Sequence, residues 1–294
     1  MQERATERLN PAAEGLDRLS DVDILARLHA GQAEALAAVA AAAGEIAEGA
    51  RLMAATIRAG GTLVYAGAGS SALMAMADAL ELPGTFGLPP RSVRILMAGG
   101  LPTGTELPGA PDDDTGAADR DAQAIRPGDV AIVLTASGST PYACAFAGAA
   151  RGRGAGTICI ANNPGAPVFE HASIAICLPT PPELVAGSTR MGAATAQKVA
   201  LNMMSTLMAI RLGHVHDGMM VNLRADNEKL RRRAVGIVSR IAGVPEGRTR
   251  DCLEAASGRV KPAILLACGA SSIDQAEALL SDTDDHLRAA LKRL

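Results

Sequence analysis

Hydroxyl side chains recur in three short turns of this sequence. Ser70 and Ser71 lie in Gly67-Ala68-Gly69-Ser70-Ser71, Ser137, Ser139 and Thr140 in Ala136-Ser137-Gly138-Ser139-Thr140-Pro141, and Ser188 and Thr189 follow Gly187. Each turn comes after a short apolar run and leads into a helical pattern. A helix start leaves backbone N–H groups without partners and carries the positive end of the helix dipole, so hydroxyls placed there make a seat for an anion such as a phosphate. The stretch Glu183–Lys198, ELVAGSTRMGAATAQK, adds the charge of Arg190 beside its turn. An N-cap uses the same residue types for structural reasons alone. GAGSS lacks the third glycine of a dinucleotide fingerprint and the lysine of a P-loop, so neither NAD nor ATP is indicated.

The runs before and between these turns read as strands: Thr62–Ala66, Val93–Met97, Val130–Thr135, Thr157–Ala161 and Ile174–Leu178. Alternating with helices, they predict an α/β fold, a three-layer α-β-α parallel sheet whose ligands sit beyond the carboxyl ends of the strands. Asn162-Asn163-Pro164-Gly165 reads as a turn. Ahead of the sheet, the N-terminus reads as a loose arm. Ser20-Asp21-Val22-Asp23 resembles a capping box opening a short helix through His29, and Gln32–Ala59 reads as one long helix stopped by Gly60-Gly61. The polar segment 99–127 is too long for a plain connection and predicts an active-site loop or a mobile surface loop. Thr189–Leu212 is helical, with Met203, Met204 and Met208 as core filling. Asp226-Asn227-Glu228-Lys229 opens a basic helix whose Arg231, Arg232 and Arg233 point around it into solvent. After Gly243 short helices form a small C-terminal appendage. The resulting division is 1–55 for the arm and first helices, 56–240 for the sheet domain and 241–294 for the helical subdomain.

Composition narrows the function. The 294 residues carry a formal charge of −3, 2% aromatics and no Trp, which argues against a nucleic-acid partner. No run of eighteen apolar residues suggests a membrane span, and the first twenty residues lack the apolar core of a signal peptide. The five scattered cysteines form no CxxC pair, which fits thiols in a reducing, cytoplasmic setting. His214-Val215-His216-Asp217 has no third ligand at a metal-binding spacing, so no metal is expected.

Taken together, GGTLVYAGAGSS, TASGSTPY, ANNPGAP, ELVAGSTRMGAATAQKVALNMMST and NEKL at Asn227–Leu230 resemble the SIS sugar-phosphate module, and more narrowly the N-acetylmuramic acid 6-phosphate etherase family. The resemblance runs from about Leu19 to the C-terminus. It implies an SIS-type, flavodoxin-like sheet and a cytoplasmic homodimer acting on a phosphorylated amino sugar with no metal or redox cofactor. It implies that Glu81, in Asp78-Ala79-Leu80-Glu81-Leu82-Pro83, is the acid and base on the lactate side, with apolar neighbours raising its pKa. A solvated helix-end glutamate is the plain structural alternative. A second carboxylate falls near Gly109-Ala110-Pro111-Asp112: counting from Gly100 selects Asp112, whereas matching the Gly-Ala pair selects Pro111. Ser70, Ser71, Ser137, Ser139 and Thr140 would hold phosphate and sugar hydroxyls, with Ser188 and Thr189 closing the site. The chain departs from the family where Ala72-Leu73 replaces Gly-Arg, Ser139 replaces Arg and Gly192 replaces Lys. Two other functions fit the module, a non-catalytic sugar-phosphate regulator and an aldose–ketose isomerase.

Overall fold

The structure is a computed structural model that describes residues 4–105, 107, 111–223, 225 and 227–294. Gly109, Ala110 and Asp226, which entered the sequence expectations, lie outside the described residues. Five parallel strands form the central sheet: β1 Leu63–Gly67, β2 Val93–Met97, β3 Val130–Thr135, β4 Gly156–Ala161 and β5 Ile174–Cys177. Their order is β2-β1-β3-β4-β5, the flavodoxin-like order, which reverses direction at β1 and β3. The register aligns Gly67 at the end of β1 with Leu134 of β3, so the chain leaves both strands at the same edge.

The chain packs as two units. One contains the residues up to Ala79 together with Arg91–Ser205, and the other contains Leu80–Pro90 with Thr206–Leu294. In the first unit the central strands β1, β3 and β4 are buried on both faces because helices cover both. Val64, Ala66, Ala131, Val133, Cys159 and Ala161 form one face, packed with α5 (Thr115–Ala122) and α6 (Pro141–Gly152). On the other face Tyr65 reaches α3 (Gly69–Ala79), donating from its hydroxyl to Asp78 Oδ2 at 3.0 Å. Ser205 of α7 (Gly192–Arg211) donates to Asp78 Oδ1, also at 3.0 Å. Burial, followed by the Asp78 charge and hydrogen bond, pushes the Tyr65 hydroxyl far above its ordinary range.

Three expectations change here. The amino-terminal helices run as α1 (Asp21–Ala41) and α2 (Ala43–Arg58), broken at Ala42 (φ −94°, ψ 13°) rather than between His29 and Gln32. The Ser20 cap forms as expected, with Oγ accepting from Asp23 N. The loose arm is instead a docked one: Ala5 N donates to Asn163 Oδ1 at 2.9 Å, and Asn10 Nδ2 donates to Pro182 O at 2.8 Å. Segment 99–127 is not all loop, since Asp114 caps α5, which lies against α6 with Tyr142 Oη donating to Asp121.

In the second unit, Val221 and Leu223 join α8 (Glu228–Ala242), α9 (Glu246–Ala255), α10 (Val260–Cys268), α11 (Ile273–Ser281) and α12 (Leu287–Leu291) in one apolar cluster. Because residues ahead of α8 share this core, packing places the change of unit at Ser205–Thr206, whereas composition alone changes near 240–245. α4 (Leu82–Phe86) belongs here too. Asn222 Nδ2 donates to Phe86 O at 2.9 Å, and a Cβ on Gly87 would fall 2.1 Å from Asn222 O, so only glycine fits. Arg231, Arg232 and Arg233 are exposed, and Arg232 pairs with Glu228 one turn earlier.

Candidate functional site

The crevice at the sheet's reversal point, where open α/β sheets bind ligands, is occupied by two of the hydroxyl turns. After β1, Gly69 turns the chain with φ +52° directly into α3. The first bond into that helix runs from Ala72 N to Ala68 O, so the N–H groups of Gly69, Ser70 and Ser71 lie ahead of it. After β3, the hydroxyls organise one another. Thr135 Oγ1 lies 2.9 Å from Thr140 Oγ1 and accepts from Gly138 N at 3.2 Å. Ser137 Oγ accepts from Ser139 N and from Ser139 Oγ, each at 3.3 Å. Gly138 has φ +76°, and a Cβ there would sit 2.2 Å from the Ala166 Cβ, so the turn depends on a missing side chain.

A cavity of about 200 Å³ opens between these turns. Its walls are Ser70 and Ser71 from the first turn, Thr135, Ser137 and Thr140 from the second, Thr189 with Gly187 from the third, and two carboxylates, Glu7 and Asp112. None of these wall residues is Lys or Arg. A phosphate held here would be bound by hydroxyls, backbone N–H groups and the dipoles of α3 and α6. Asp112 stands in the short turn Pro111–Asp113. Desolvation, and then repulsion from Asp113, pushes its carboxyl above the ordinary carboxylate range.

Not every expected residue is a wall. Ser139 acts through Ser137, as just described. Ser188 sits in the turn ahead of Thr189, where its N–H donates to Val185 O. Glu81 lies in the second unit as the exposed residue ahead of α4. The apolar surround expected for it is not met, because the chain turns into solvent at Leu80, which is 65% exposed.

The start of α7 also differs from expectation. The helix begins at Gly192, and its first N–H groups are already taken: Glu183, 6% exposed, accepts from Gly192 N through Oε2 and from Ala193 N through Oε1, both at 2.9 Å. The anion at this helix start is the chain's own carboxylate. Gly192 itself is closely packed, since a Cβ would lie 3.0 Å from Ala35 Cβ and 3.2 Å from Glu183 Oε2.

Sequence reasoning missed four contributors. Glu183 opens the ELVAGSTRMG block but was given no role in it, and Glu7 lies in no motif. Asn162 and Asn163 were taken as turn residues, yet both tie the site together. Asn163 Nδ2 donates to Ala136 O at 3.0 Å and Ser137 O at 3.3 Å, which holds the second turn. Asn162 Nδ2 donates to Leu178 O at 3.2 Å, and its Oδ1 accepts from Gln197 on α7. Two adjacent asparagines directly after a buried strand were the available signal.

Comparison with known proteins places this geometry among relatives. A sequence profile of the SIS domain matches residues 29–162. N-acetylmuramic acid 6-phosphate etherase of Burkholderia lata is 41% identical over 94% of this chain and 91% of its own length. The proteins of the same name from Deinococcus radiodurans and Geobacillus thermodenitrificans are each 37% identical, over 98% and 99% of this chain and 95% and 100% of theirs. Among solved structures, a phosphoheptose isomerase from Francisella tularensis superposes with a TM-score of 0.50 at 16% identity, covering 65% of this chain and all of its own, a likeness of fold.

Proposed function

This chain belongs to the N-acetylmuramic acid 6-phosphate etherase family, and from that membership we propose that it is a carbon–oxygen lyase. It cleaves the D-lactyl ether of N-acetylmuramic acid 6-phosphate to N-acetylglucosamine 6-phosphate and D-lactate, a step in recycling cell-wall amino sugars. The observation that carries this reading is the meeting of Asp112 with Ser70, Ser71, Ser137, Thr140 and Thr189 on one cavity at the strand ends. Ser139 donates to Ser137 from its N–H and its hydroxyl, and Ser188 precedes Thr189 in the third turn.

The chemistry needs four proton transfers, two in the elimination and two in the addition of water. In the open-chain sugar the aldehyde acidifies the C2 proton. Asp112, whose raised pKa makes it a stronger base than an ordinary aspartate, takes that proton. Electrons move into a C2–C3 double bond, and the C3–O bond to lactate breaks. Glu81 protonates the departing oxygen and then, as the carboxylate, takes a proton from the water that adds at C3. Return of the proton at C2 completes the product. Each transfer contributes about a hundredfold or more.

The same reading places the protein in the cytoplasm as a homodimer. Exposed Val22, Leu25 and Leu36 on α1 support an interface there, as does the exposed Leu80 beside Glu81. Among the described residues no single helix is long and apolar enough to cross a membrane.

The test is D-lactate release from N-acetylmuramic acid 6-phosphate by purified protein with no metal added, beside a Glu81→Gln variant. Turnover is expected in the parent, with a loss of about a hundredfold or more in the variant at unchanged substrate affinity. Binding of the substrate by the parent without lactate release would overturn the etherase reading in favour of a sugar-phosphate regulator.

A further inference from the structure

Glu7 stands on the cavity wall opposite in character to the hydroxyl turns. Apart from Asp112, the other walls offer hydroxyls and backbone N–H groups, whereas Glu7 brings a second carboxylate, from the amino-terminal arm. The arm is built to hold it there. Thr6 is 2% exposed, its hydroxyl accepts from Asn163 Nδ2 at 3.4 Å, and Ala5 N donates to the same side chain's Oδ1. That amide also grips the second hydroxyl turn, so one buried side chain aligns the arm with the phosphate seat. Beyond Glu7, the Asn10 contact to Pro182 O fixes the arm a second time. Between the two anchors Glu7 N donates to Arg4 O, closing a tight turn. On the far side stands Gly187, where a Cβ would lie 3.6 Å from Glu7 Oε2.

Among the described residues no hydrogen bond or ion pair engages the Glu7 carboxylate. Glu183, by contrast, spends both oxygens on backbone N–H groups. Glu7 is an acceptor left open on a ligand cavity. A carboxylate and a phosphate dianion repel each other, so Glu7 marks the part of the cavity away from the phosphate. On an amino sugar that part carries O–H and N–H donors.

We propose that Glu7 is a substrate-binding residue, its carboxylate accepting a hydrogen bond from an O–H or N–H donor of the amino sugar while the hydroxyl turns hold the phosphate. The arm thereby reads the carbohydrate, and charge repulsion directs the substrate's lactyl carboxylate, like its phosphate, to the side away from Glu7. The proposal rests on the sugar-phosphate reading of this cavity but not on turnover.

The test is calorimetric binding of N-acetylglucosamine 6-phosphate and of inorganic phosphate to the full chain, to Glu7→Ala and to Glu7→Gln. A charge-assisted hydrogen bond predicts that Glu7→Ala weakens the sugar phosphate about tenfold. Glu7→Gln should fall between the two, and inorganic phosphate should bind all three alike. Equal sugar-phosphate affinity in parent and Glu7→Ala overturns the proposal. So does an equal weakening of both ligands, which would mean that the substitution only loosens the arm. Failure of lactate release with the predicted binding pattern intact would remove the etherase reading and leave this one standing.

Discussion

Two helix starts at one sheet edge carry the same kind of sequence and end in opposite states. At α6 the turn Ser137-Gly138-Ser139-Thr140 keeps the hydroxyls of Ser137 and Thr140 on a cavity wall, and Thr140 makes no side-chain cap bond. At α7 the turn Gly187-Ser188-Thr189 precedes a helix whose first N–H groups are stoppered by buried Glu183. The rule that a helix start needs an acceptor applies to both. One obtains it from within the fold, and the other leaves the place for a ligand. On the proposed reading, the phosphate seat is an unfilled cap, and its neighbour is the filled counterpart against which its stability can be compared.

Glu183→Ala should break this contrast most severely. It leaves two buried N–H groups without acceptors, which costs about 3 kcal/mol, or a melting temperature lower by roughly 6–12 °C. Differential scanning calorimetry reads this directly. An unchanged melting temperature would show that water or a nearby side chain replaces the carboxylate. Gly138→Ala attacks the open start instead. The left-handed backbone costs about 1–2 kcal/mol for a residue with a Cβ. The 2.2 Å approach to Ala166 then forces the turn to move. Phosphate affinity should drop more than tenfold, a loss of at least about 1.4 kcal/mol, measured by calorimetric titration.

The contrast also explains what could be read beforehand. β2 and β3 run over the predicted residues, and the other strands fall within a residue of them, because apolar runs buried on both faces advertise themselves locally. The hydroxyl turns were legible for the same reason, since turn and helix start adjoin in the chain. Glu183 was not, because its partners lie nine and ten residues on, beyond the Gly187-Ser188-Thr189 turn, and a glutamate ahead of that turn gives no local sign that it caps the helix after it. The arm's contact with Asn163 spans 158 positions and has no local signature. The break at Ala42 falls within alanines that favour helix on both sides, so packing rather than propensity sets it. α5 was concealed by the Gly, Pro and Asp around it, although Asp114 accepting from Ala117 N at 2.8 Å is an ordinary cap.

Ser137→Ala sharpens the comparison without rebuilding the turn. Ser137 Oγ organises Ser139 but lies 3.5 Å from Thr140 Oγ1, so the frame from Thr135 to Thr140 survives its loss. Phosphate affinity should fall about tenfold with stability changed by about 1 kcal/mol or less. Comparable loss of affinity and stability would mean that this hydroxyl is a structural cap like Glu183.

The smallest effect concerns the carboxylate on the open side. Asp112 is raised first by desolvation and second by the charge of Asp113, so its ionised form gives way to the neutral acid at a higher pH than in an ordinary aspartate. If Asp112 takes the C2 proton, the acid limb of kcat/KM follows that titration. Asp113→Asn removes the second cause and leaves the first, so the limb should move toward lower pH by only part of the shift. On the plateau above that limb activity should stay within about twofold, since a plateau is by definition the range in which the base is already ionised. Raising the salt concentration should move the parent's limb the same way and the variant's less, because salt screens charge repulsion and not desolvation. Asp114 is fixed as the α5 cap and paired with Arg120, so it is a poor substitute for Asp113. A limb indifferent to both salt and substitution would assign the titration to another group and remove Asp112 as the base.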